Sequence, residues 1–196
     1  MSELRLKDGT GGSSVAKVNT NNRLNVESVA TTQQAQASFE GRGYNLNTGD
    51  IALTSAGTSA VAYFKYTGLT SFNIANIAVG VGAMGGTVDD PVLIKVIRDP
   101  SGGSIVDNAV AGDMNANRNF GNPSGLTGFF YKGVEGDTFT NGTDIAQFYT
   151  NGNSRLFAGV DFVIPQGTSI GVELTPNAVS AGNIYVAFIG HETEDV

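Results

Sequence analysis

From Phe39 to its C-terminus the chain reads as a train of short apolar runs, each closed by a cluster of Gly, Asn, Asp or Thr. No other feature restricts the fold as much. Runs of this kind fall at 51–55, 60–66, 72–81, 92–98, 105–109, 126–131, 145–149, 155–164, 169–174 and 184–189. Several alternate with a period of two, as in Ile77/Val79/Val81, Val92/Ile94/Val96, Phe157/Gly159/Asp161 and Tyr185/Ala187/Ile189, which places successive side chains on opposite faces of a strand. No stretch of helical length carries a 3.6-residue period, which sets aside βαβ units and the nucleotide folds built from them. Turn chemistry in Pro-Ser-Gly-Gly at 100–103 and Asn-Gly-Asn at 151–153 predicts antiparallel hairpins. Some of the runs must merge or fail. The expected fold is all-β, an antiparallel β-sandwich or jelly roll of about eight strands.

The chain has 196 residues, enough for one core of good size. Gly is frequent at 27 residues, but Pro is only 5 and no Gly-X-Y period appears, so the glycines punctuate strands rather than build collagen or a Pro-rich coil. The absence of Cys removes disulfides, thiolate metal sites and a Cys nucleophile, leaving packing, strand pairing and oligomer contacts to hold the fold. A net charge of -7 argues against nucleic acid or an anionic membrane as the main partner. The N-terminus lacks the apolar run of a signal peptide, and no apolar stretch is long enough for a membrane span.

Residues 1–38 differ in character. They are rich in Gly, Ser, Thr, Asn and Gln, with only scattered apolar positions, and cannot bury much core by themselves. Alternation on both sides of Asn21 and Asn22 resembles a small hairpin, which alone is marginal in water and needs another surface to lie on. Residues 31–38 read as a linker. The expected organisation is therefore an extended arm and linker over 1–38, followed by a β-sandwich over 39–196.

Candidates for chemistry are few. The only histidine, His191, lies near the C-terminus and reads as a surface residue. Asp113, Asn115 and Asn117 begin like a calcium loop, but Arg118 stands where glycine is needed and Ser124 where a bidentate Glu is needed, so the segment reads as a polar loop. The carboxylate pairs Asp89/Asp90 and Glu135/Asp137 read as solvated loop tips rather than a glycosidase pair. The Gly-rich stretch Gly80, Gly82, Gly85 and Gly86 has no following helix or Lys-Ser/Thr, and reads as a strand end, a bulge and a turn. Asn141-Gly142-Thr143 reads as a turn. Aromatic clusters at Tyr63/Phe64/Tyr66, Phe129/Phe130/Tyr131 and Phe148/Tyr149 must each send some rings inward and others outward. No catalytic residue, metal ligand or cofactor is assigned.

Two stretches carry a resemblance. Residues 6–26, Leu-Lys-Asp-Gly-Thr-Gly-Gly-Ser-Ser-Val-Ala-Lys-Val-Asn-Thr-Asn-Asn-Arg-Leu-Asn-Val, look like the opening of structural proteins of tailed bacteriophages. Residues 163–176 and 183–192 are similar to the closing strands of viral jelly-roll domains. The resemblance implies a capsid decoration, or cement, protein on the outer surface of the virion, binding the major capsid protein and commonly a homotrimer. The arm would be the anchor, through Leu4, Leu6, Lys7, Val15, Lys17, Val18, Arg23, Leu24 and Val26. The same domains occur in phage fibres, tails and baseplates, so a module binding a receptor or glycan is the alternative.

Overall fold

The computed structural model describes residues 32–82, 91–121, 125–151, 154–177 and 182–193. The nine arm positions fall outside them.

The described residues open with a helix, α1 (Gln33–Phe39), where a linker is expected. Thr32 caps it, its Oγ1 accepting from the Ala35 amide at 3.2 Å, and the Gln/Ala composition that follows favours helix. Only Ala37 is buried, so the segment is too short and too polar to show a helical period. Its Ser38 lies so close to Gly43 that a Cβ there would stand 2.6 Å from Ser38 Oγ.

Twelve strands follow. They are β1 (Gly43–Asn47), β2 (Ile51–Leu53), β3 (Ser59–Tyr66), β4 (Ser71–Val81), β5 (Pro91–Arg98), β6 (Val110–Ala111), β7 (Met114–Asn117), β8 (Gly128–Lys132), β9 (Thr143–Asn151), β10 (Arg155–Pro165), β11 (Ser169–Pro176) and β12 (Gly182–Glu192). The pairing is nested: β5 with β9, β4 with β10, β3 with β11, and β1 with β12, all antiparallel. A ribbon paired in that order and rolled over itself is a jelly roll. The first sheet runs β10-β4-β12-β1-β7, with β2 also on β12, and the second runs β6-β8-β3-β11-β5-β9. The expected fold class is thus observed, with four short strands beyond the eight of the roll.

The inward faces supply the core. Phe64 of β3 meets Phe72 of β4 edge-on at 5.0 Å, and Phe130 of β8 meets Phe188 of β12 at 5.8 Å, so aromatic pairs join one sheet to the other. Ile74, Val79, Ile94, Ile170, Val172 and Val186 fill the space around them with no solvent exposure. Truncating a ring such as Phe64 to Ala in this environment costs about 3–5 kcal/mol.

Three local expectations give way to tertiary structure. Segment 105–109 is not a strand: α2 (Ser104–Asp107) occupies it, and 100–103 leads into that helix rather than closing a hairpin. Ser104 decides this, because its Oγ donates to Asp137 Oδ1 at 2.7 Å and accepts from the Thr138 amide at 2.9 Å, contacts that a local reading cannot see. Segment 151–153 does not join a hairpin either, since β9 belongs to the second sheet and β10 to the first. The polar loop read at 113–119 contains β7, which pairs with β1. Turn residues 141 and 142 do behave as expected, with Asn141 and Gly142 both at positive φ just before β9 opens at Thr143.

Candidate interaction surface

Sheet edges need protection from unwanted pairing. At one side of the sandwich the edges are β6 and β7, of 2 and 4 residues, too short to be a template. At the other side they are β9 and β10, of 9 and 11 residues. On β10 a bulge between Gly159 and Phe162, with Asp161 at φ 47°, interrupts the ladder.

These long edges concentrate exposed apolar side chains. Tyr149 is 64% exposed, Phe157 59%, Val163 57% and Ile145 40%. Phe148, Leu156, Val160 and Phe162 alternate with them and pack inward on the core. The aromatic clusters divide likewise: Phe130 enters the core, Phe129 is exposed and Tyr131 stacks on Tyr63 at 5.8 Å.

From β10 the surface continues across the outer face of the first sheet. One cross-strand row there is Phe157, Ala78, Ala187 and Asn47, and the next is Gly159, Asn76, Ile189, Asn45 and Ala116. Neither row holds an ionisable side chain. Charge appears on β10 only at the flanks, at Arg155 and Asp161. Small, amide and apolar side chains without charge are what the centre of a protein–protein contact requires, since an unpaired charge is costly to desolvate.

Among the described residues, the acidic candidates for chemistry are occupied in structural roles. Both Glu135 carboxylate oxygens are engaged: Oε1 accepts from the Thr54 amide at 2.6 Å and from the Ser55 amide, and Oε2 accepts from Thr54 Oγ1 at 2.6 Å. Those bonds hold its pKa down at about 2. Asp137 is tied to Ser104 Oγ and, through Oδ2, to the Val134 amide at 2.8 Å. The pair therefore clamps loops instead of standing free at a tip. Asp89, Asp90, Gly85 and Gly86 lie outside the described residues.

His191 is buried, at 5% exposure, rather than on the surface. It sits in β12 between Gly43 of β1 and Asn73 of β4. Burial, with the Arg42 and Arg118 guanidinium groups nearby, pushes its pKa down against a weaker opposing pull from Asp161. His191 Nδ1, Asn73 Oδ1 and Arg118 Nη1 are buried without hydrogen-bond partners. In the abortive calcium motif, Asp113 pairs with Lys132, and Asn117 Nδ2 donates to the Gly41 carbonyl at 2.6 Å. Among the described residues no three His, Asp or Glu side chains are placed to hold a metal ion, and no helix is long and apolar enough to cross a membrane.

Sequence reasoning missed the β10 surface. The alternation of Phe157, Gly159 and Asp161 is legible, but which alternate face points outward depends on the partner strand. Comparison of the chain with known family models and with characterised proteins finds no match.

Proposed function

We propose that this chain is a structural protein of a bacteriophage virion that binds the outside of the capsid and stabilises it, without catalysing a reaction. The observation that carries this reading is the charge-free central rows of the first sheet's outer face, bordered at the β10 edge by the exposed side chains of Phe157 and Val163. Such a face is suited to a protein partner, and the jelly-roll topology supports the same class of protein. The commitment of Glu135 and Asp137 to loop hydrogen bonds adds support for a non-catalytic role. In this proposal the partner is the major capsid protein, the assembly is a homotrimer, and residues 1–38 anchor it through Leu4, Leu6, Lys7, Val15, Lys17, Val18, Arg23, Leu24 and Val26.

Virions stripped of the protein test this directly. They are expected to lose heat or osmotic resistance and regain it on adding the purified chain. Unchanged resistance, together with no rebinding, rejects the reading. Replacing Leu4, Leu6, Val18 and Leu24 together by Ser should abolish rebinding if the arm is the anchor. The alternative, a fibre, tail or baseplate module for a receptor or glycan, is favoured by one observation, a shallow cleft that Tyr185 lines together with Asp50, Asn183 and Arg155.

A further inference from the structure

One end of the first sheet's outer face carries a depression made by its own sequence. Gly80 and Gly82 contribute no side chains there, and the Tyr185 ring lies over Gly80 so closely that a Cβ on Gly80 would stand 2.0 Å from it. Register aligns Arg155, Gly80 and Tyr185 in a single row across β10, β4 and β12. Ile51 pairs with Ile184, so Asp50 continues the row on the far side of Tyr185. Asn183 and Gly82 belong to the next outward step, their backbones joined by a 2.7 Å hydrogen bond. These residues line one shallow cleft.

The chemistry of the cleft is specific. Its floor is a half-buried aromatic ring, with the Arg155 guanidinium carbon 5.8 Å from the ring centre. Asp50, an acceptor, and Arg155, a donor whose guanidinium lies over the ring, are both exposed and stand at opposite ends of the row, while Asn183 can both donate and accept. Among the described residues the Asp50 and Asn183 side chains form no hydrogen bond or ion pair, and Arg155 has the Tyr185 ring as its partner. An anionic ligand would be drawn to Arg155 but repelled by Asp50, and an apolar one would leave the polar walls unpaired. A neutral sugar satisfies every element, because its hydroxyls donate and accept at short range while its C–H face covers a ring.

From this arrangement we infer that the cleft is a binding subsite for a neutral hexopyranose unit, with Tyr185 as the platform and Asp50, Asn183 and Arg155 as hydroxyl partners. The subsite deepens the glycan alternative above. It is tested on the free chain, so its failure is separate from failure of the virion-rebinding test.

The experiment is amide-resolved NMR of the full chain, titrated with glucose, galactose, mannose and N-acetylglucosamine oligomers. At least one series should shift the amides of Asp50, Asn183 and Tyr185 with saturable dependence. Tyr185→Ala should weaken that affinity by about tenfold or more, the factor for roughly 1.4 kcal/mol of lost stacking. Tyr185→Phe should keep most of it, and Asp50→Ala, on an exposed side chain, should weaken binding while leaving the melting temperature unchanged. No saturable shift with any series, shifts centred elsewhere, or wild-type affinity in both Tyr185→Ala and Asp50→Ala would overturn the inference. Tighter binding of a uronic or sialylated oligosaccharide than of its neutral counterpart would overturn the neutral assignment.

Discussion

The outer faces of the two sheets are finished in opposite ways. On the second sheet the chain supplies its own cover: α2 and the segment around Phe139 lie over β3, where Ile105, Ala60 and Tyr63 form a small separate cluster with Val106, Tyr131 and Phe139 packed on it. Beyond that cover the face carries charge, with Lys95 Nζ bonded to Asp144 Oδ2 at 2.8 Å and Glu173 close by. Across the first sheet's central rows there is neither charge nor, among the described residues, a comparable apolar cluster. A face that folds its own lid uses its apolar side chains for stability, whereas central rows left uncharged and uncovered keep theirs available for a partner.

Substitutions in the lid should break this contrast most severely. Ile105→Ala removes a buried side chain from the small cluster and is expected to lower unfolding free energy by about 2–4 kcal/mol, read by denaturant titration. Asp137→Ala strips partners from Ser104 and the Val134 amide, and should cost about 1–2 kcal/mol by the same measurement. If both variants unfold like the wild type, the lid is not part of the cooperative fold.

Acid should separate two other structural groups. His191 has a folded-state pKa below its ordinary 6.5, so the unfolded chain takes up its proton first. Its contribution is complete above about pH 6.5 and declines as pH falls through the window just below, and His191→Gln should flatten that slope in a series of thermal melts. Glu135 is likewise depressed, to about 2 from 4.5, so its contribution is present above pH 4.5 and fades as pH drops towards 2. Glu135→Gln should remove that lower step and leave the His191 step in place.

The smallest effect on stability should come from the open face, where it is most informative. Phe157→Ala and Val163→Ser alter exposed side chains and should shift unfolding free energy by no more than about 0.5 kcal/mol. Under the proposed function the same variants should rebind stripped virions poorly. Normal rebinding by both would move the contact elsewhere on the molecule.

Much of the strand content could be read from the chain, because a period of two is local. The runs at 60–66, 72–81, 92–98, 155–164 and 169–174 fall within observed strands, whose own side chains carry the signal. β1 and β7 escaped notice because Asn45 and Asn47, and the Asn residues of β7, look like turn residues; pairing with β12 and with each other makes them strands. α1 escaped for the opposite reason, one buried residue in seven giving no period.

The candidate surface was less legible. Phe157 and Tyr185 stand on strands that the sequence marks plainly, yet the charge-free rows and the cleft are made by residues from β10, β4, β12 and β1 that are far apart in the chain. Composition and periodicity were enough to specify a strand-rich sandwich with few ionisable groups, since both follow from each residue and its near neighbours. Assigning β9 and β10 to different sheets, turning 104–107 into a helix, burying His191 and committing Glu135 to Thr54 were decided only by tertiary structure. Each depends on a partner some tens of residues away or more, which local preference cannot choose.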